Sequence, residues 1–109
     1  MRETAIARIA LTTAGSIEEA RNLARALVER RVAACVNLIP SLTSMYRWQG
    51  AIEETAEVLL LIKTTAEQLP AVETALRELH SYEVPELIAL HVESASQPYL
   101  DWLVNNVNP

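Results

Sequence analysis

The chain is poor in the residues from which several common functional sites are built. Its 109 residues include one cysteine, two glycines and no phenylalanine. Gly15 and Gly50 cannot form a phosphate-binding loop or a dinucleotide fingerprint, because each motif needs several glycines within a few residues. The sequence also has no C-x-x-C or H-E-x-x-H motif, and therefore no zinc signature. Any metal site would have to be assembled from scattered residues.

Clusters of positive charge and long apolar runs are missing as well. The net charge is −5 and the sequence has no run of Lys or Arg, so nucleic acid is not an expected partner. No apolar segment approaches the roughly 20 residues that span a bilayer. Cys35 has no partner for an internal disulfide and stands in an apolar stretch typical of a buried thiol. We therefore expect one domain over residues 1–109, in the cytoplasm and without a membrane partner.

Half of the residues are hydrophobic, and their spacing predicts alternating strands and helices. The predicted elements are a strand at 4–13, a helix capped by the S-x-x-E box of Ser16 and Glu19, strands at 33–39, 42–48 and 56–64, a helix capped by Thr65 or Gln68, a strand at 87–93 and a short helix from Ser96. Two β-α-β halves predict an α+β, ferredoxin-like β-α-β-β-α-β sandwich with a C-terminal helix.

The predicted hairpin is too long for a domain of this size. An extended segment over residues 33–48 would reach about 50 Å at about 3.3 Å per residue. A domain of about 100 residues is only about 34 Å across, given a radius of gyration of about 13 Å. The hairpin should therefore project and leave apolar residues uncovered, namely Leu42, Met45, Tyr46, Trp48 and Ile52. A projecting edge is best covered by further copies of the chain, so we predict a homo-oligomer.

The segment E-L-H-S-Y-E-V-P-E-L, residues 78–87, concentrates polar groups in a short connector. His80, Glu83 and Glu86 are types of ligand that bind divalent ions. However, a histidine at the end of a helix also interacts favourably with the helix dipole, which gives His80 a structural alternative. His91 alternates with apolar neighbours along the last strand and is expected to be a half-exposed strand residue.

A second group of polar residues is predicted around the central hairpin. Glu57 and Lys63 are six residues apart on one strand and therefore share a face. With Tyr46, Trp48 and Tyr82 they could line a pocket that supports proton transfer or binds a small charged ligand. The alternative is a solvent-facing ion pair. No serine lies in a nucleophile elbow.

Four motifs in order carry a family resemblance. They are A-C-V-N-L-I-P, S-x-Y-x-W-x-G, E-V-L-L-L-I-K-T and Y-E-V-P-E. Together they resemble the CutA family of divalent-cation tolerance proteins over essentially the whole chain. The resemblance implies a ferredoxin-like subunit in a tight cytoplasmic homotrimer, with hairpins exchanged between neighbours. It also implies a link to tolerance of copper and other divalent metals, and a protein that is not an enzyme.

The resemblance also implies a set of site residues. The implied intersubunit pocket would draw on Cys35, Tyr46, Trp48, Glu57, Lys63, His80, Tyr82 and Glu86. Copper ligands proposed in the family are a cysteine at the end of the first strand and two adjacent histidines after the second helix. Thr12 stands at the first place and Leu79-His80 at the second, which leaves His80 as the one metal candidate. Copper or another divalent cation is the implied ligand, and no cofactor is firmly implied.

Three functions remain open on the sequence. The first is a trimeric protein that responds to metals or binds a small ligand at its subunit interface. The second is an enzyme that transfers protons through Glu57, Lys63, His80 and Tyr82. The third is a scaffold whose trimer presents surfaces to other proteins.

Overall fold

A four-stranded antiparallel sheet with helices on one face forms the body of the molecule. The computed structural model describes all residues from Met1 to Pro109. Its elements are β1 (Arg2–Glu3), β2 (Ala7–Ala14), α1 (Ile17–Glu29), β3 (Cys35–Trp48), β4 (Ala51–Thr65), a 3-10 turn (Ala66–Gln68), α2 (Leu69–Leu79), β5 (Ile88–His91), β6 (Ser94–Ala95) and α3 (Gln97–Asn105). None of the helices combines the length and the apolar character that a bilayer crossing requires.

The strand order confirms the predicted ferredoxin-like fold. The sheet runs β3-β4-β2-β5, so the first strand of the β-α-β-β-α-β series lies between the third and the fourth. Side chains alternate across the sheet, and one set packs under α1 and α2. The resulting core is made of Ala10, Ala14, Ala20, Leu23, Leu27, Val32, Ala33, Val58, Leu60, Ile62, Val72, Ala75 and Leu76.

The long hairpin is more regular than predicted. The interruption at Pro40 and Ser41 does not end the strand, because β3 passes through it with a bulge between Ile39 and Leu42. Ser41 takes a positive φ of 65° there. The return strand begins at Ala51, not at residue 56, and Gly50 forms the tip with a φ of 83°. The molecule measures 45 × 25 × 22 Å, consistent with the predicted projection.

The predicted end strands are shorter than the sequence indicated. The first begins at Ala7 instead of residue 4, and the last covers Ile88–His91 instead of 87–93. Arg2–Glu3, before the first of these strands, and Ser94–Ala95, after the last, form a separate two-stranded ladder that the alternation did not predict. The alternation of apolar and polar residues does not predict this ladder, because the pairing of its two strands depends on where two segments distant in the sequence meet in the fold.

The sheet face opposite α1 and α2 is only partly covered. We call it the open face, and α3 with the residues that follow it packs against it, where Leu103 of α3 and Val107 beyond the helix cluster with Ala34. Elsewhere on this face, Ile39 and Leu90 are 44% and 47% exposed. The hairpin is exposed too, with Met45 at 67% and Ile52 at 61%. The single chain therefore carries two apolar surfaces that its own core does not bury.

Candidate functional site

His80 fixes the start of the loop that leaves α2. The side chain is fully buried, and Nε2 lies 2.7 Å from the carbonyl oxygen of Thr13. Its Nδ1 accepts a hydrogen bond of 3.0 Å from the backbone N–H of Tyr82. The proton therefore sits on Nε2 and is donated to Thr13. Both ring nitrogens are used to attach the loop to the end of β2.

Glu19 fixes the same loop from α1. Ser16 caps this helix, since its Oγ accepts from the N–H of Glu19 at 3.1 Å. The reciprocal half of the predicted capping box is not formed, because the Glu19 carboxylate instead accepts from the N–H and Oγ of Ser81 at 2.8 and 3.0 Å. Burial opposes ionisation of Glu19, but the hydrogen bonds from Ser81 prevail and lower its pKa.

Tyr82 connects the loop to the hairpin by a hydrogen bond. Its hydroxyl donates a hydrogen bond of 2.7 Å to Oε2 of Glu57 on β4. A Cβ at Gly15 would lie 3.3 Å from this hydroxyl, so the glycine leaves room for the phenol. Burial raises the pKa of Tyr82, and the bond to Glu57 and the charge of that carboxylate raise it further. The phenol therefore stays a neutral donor at physiological pH.

The hairpin supplies the second wall of a pocket. Tyr46 is held by a hydrogen bond of 3.1 Å between its hydroxyl and Oγ1 of Thr55 on the opposite strand. The cavity between the hairpin and the loop has a volume of about 570 Å³. It is lined by Thr13, Ser44, Met45, Tyr46, Trp48, Glu57, Tyr82, Glu83, Val84 and Glu86. This volume lies in the range of small-molecule sites, about 300–1,000 Å³.

The structure brings together most of the predicted pocket. Its lining includes Tyr46, Trp48, Glu57, Tyr82 and Glu86. His80 lies behind this lining, where it stacks on Tyr82 with ring centroids 4.6 Å apart. The lining also contains Glu83, which was predicted as a possible metal ligand, and Met45, which was predicted only as an uncovered apolar residue. Ser44 and Val84 lie in the motifs but were not selected from the sequence. Thr13 carries no such signal, because only the packing of the loop brings it there.

Cys35 and Lys63 are not part of this pocket within one chain. They are partners across β3 and β4, at the end of the hairpin that lies on the body. The Lys63 ammonium lies 5.7 Å from the ring centroid of Tyr99 on α3. Glu57 and Lys63 do share a side of β4, but six residues of strand separate them by about 20 Å. Within one chain, this separation argues against a four-residue proton-transfer centre with Glu57 and Tyr82.

The residues around His80 do not fit a metal ion within one chain. No group of three or more His, Cys, Asp or Glu side chains is arranged to hold one. Both nitrogens of His80 already make hydrogen bonds, so neither offers a free lone pair. A metal ion would have to displace the bond to Thr13 or the bond from Tyr82.

The comparisons with known proteins agree with the fold and the motifs. A family model described as CutA1 divalent ion tolerance protein matches residues 8–106. The chain belongs to the CutA family. The resemblance drawn from the four motifs is thereby confirmed, and the family is named for tolerance of divalent cations rather than for a reaction.

Among CutA relatives, a divalent-cation tolerance protein of Thermus thermophilus is 50% identical over 98 residues, which cover 90% of this chain and 95% of that protein. Its solved structure matches with a TM-score of 0.92 at 48% identity, covering 94% of this chain and 99% of the other. The CutA structure from Synechococcus elongatus PCC7942 gives 0.94 at 43% identity, with coverage of 98% and 95%. The mouse protein CutA is 51% identical over 94 residues, 86% of this chain but only 53% of the mouse protein. The chain thus spans about half the length of that relative.

Proposed function

We propose that this CutA chain is a cytoplasmic homotrimer that binds a small ligand in the pocket between the hairpin and the 80–87 loop, and that it catalyses no reaction. The observation that carries the proposal is the pocket itself. Two anchored walls, joined by the bond between Tyr82 and Glu57, enclose a cavity that is open on its remaining side. A neighbouring copy of the chain is the proposed third wall.

Oligomerisation is supported by the apolar surface that a single chain leaves in water. Ile39, Leu90 and Ile52 are each more than 40% exposed, and Trp48 is 47% exposed at the hairpin end. β3 is also an edge strand with one unpaired side. β5 is the other edge strand of the sheet. A ring of heterologous contacts can cover both edges of every copy, whereas a twofold dimer that joins two like edges covers one edge of each copy. The trimer implied by the resemblance is such a ring.

Size-exclusion chromatography with light scattering tests the assembly at micromolar concentration. We expect three times the mass of 12.1 kDa in one monodisperse peak. A monodisperse monomer would refute the proposal. If a trimer is found, cross-linking at low nanomolar concentration distinguishes a tight trimer from one that forms only at micromolar concentration.

The link to metals is proposed to be weak or indirect. The two hydrogen bonds of His80 must be rearranged before a metal ion can bind there. This favours the alternative of a trimeric small-ligand signalling protein without a direct metal role. Titration calorimetry of metal-free protein with copper, zinc and cadmium tests it, and we expect no stoichiometric heat in the micromolar range. Tight binding that is lost in His80→Asn would instead establish a direct metal site.

The cytoplasm is the compartment implied by the resemblance, and the free thiol of Cys35 agrees with a reducing environment. Fractionation of cells that express the tagged full-length protein tests this part of the proposal.

A further inference from the structure

We draw no further inference here: the strongest candidate, the acidic and aromatic pocket between the hairpin and the 80–87 loop, belongs to the site already described, and nothing in the structure shows which side chains of a neighbouring copy complete it.

Discussion

The two halves of β4 have the same backbone pairing and opposite environments. From Val58 onward, alternate side chains are buried under the helices, with Leu60 and Ile62 fully inaccessible. Near the tip, residues 51–54 are all exposed, although they pair with β3 in the same regular register. Backbone hydrogen bonds therefore extend the strand well beyond the core. The half on the body is stabilised within the chain, whereas the projecting half must be stabilised by contacts that a single chain does not supply.

The largest effect is expected from a substitution on the projecting half of β4 that leaves the core intact. Ile52→Glu places a charge on a surface proposed to be buried between copies, where an unpaired charge is destabilising by several kcal/mol. We expect the assembly to dissociate while circular dichroism shows a folded chain. Val28→Glu is the control, since Val28 is an exposed apolar residue of α1, away from the hairpin. An intact assembly in Ile52→Glu would show that the tip is not an interface.

The complementary change acts on the body half of the same strand. Leu60→Ala should lower the free energy of unfolding by about 2–5 kcal/mol, because it leaves a cavity in a closely packed core. Ile52→Ala, at 61% exposure, should change the unfolding free energy of the isolated chain by less than about 0.5 kcal/mol. Urea unfolding at a concentration where the assembly has dissociated provides both values. Similar losses of unfolding free energy in the two variants would show that the two halves of β4 contribute equally to the stability of the isolated chain.

Removal of the hydrogen bond between Tyr82 and Glu57, which joins the loop to the hairpin, should have an intermediate effect on the free energy of unfolding. Tyr82→Phe removes the donor to Glu57, and the loss of a hydrogen bond to a charged group is expected to cost about 1.5–3 kcal/mol. Thermal unfolding of the variant tests this, and Tyr99→Phe on α3 is a control with a hydroxyl that makes no hydrogen bond to the protein. An unchanged melting temperature in Tyr82→Phe would mean that the two walls are held by other contacts.

The same residue predicts a dependence on alkaline pH. The raised pKa of Tyr82 means that the folded chain favours the neutral phenol. Its contribution to stability is fully present below pH 10.0, the ordinary value, and is lost as the pH rises toward the raised pKa. Stability should therefore fall above pH 10.0 more steeply in the parent chain than in Tyr82→Phe. Parallel curves would contradict the assignment to Tyr82.

The smallest effect is expected at Glu19, on the body side of the loop. Its pKa is lowered below 4.5, so its contribution to stability is present above pH 4.5 and is lost as the pH falls through the lowered value. Glu19→Gln should remove this acid dependence, at less than about 1 kcal/mol for a partly exposed group. Unfolding curves between pH 3 and 6 measure it, approximately the range around the ordinary carboxylate pKa. Glu18→Gln is the control, and an equal change there would point to net charge alone.

The candidate site was predictable where its residues lie in local motifs. Tyr46 and Trp48 alternate along a strand, and Tyr82 and Glu86 stand in the Y-E-V-P-E loop, so both walls were visible in the sequence. The separation of Glu57 from Lys63 within one chain was visible too, because six residues of extended strand span about 20 Å. The bonds of His80 to Thr13 and Tyr82 were not visible, since they depend on where α2 ends above β2.

The sequence by itself determined the family, the order of strands and helices, and the projection of the hairpin. Apolar spacing, capping residues and segment length are local properties, and local chemistry is sufficient to specify them. Only the tertiary structure decided that His80 serves as an anchor for the loop and that the buried carboxylate of Glu57 accepts a hydrogen bond from Tyr82. These properties arise from burial and hydrogen-bond partners far apart in the chain, and they are the reason the pocket has a chemistry of its own.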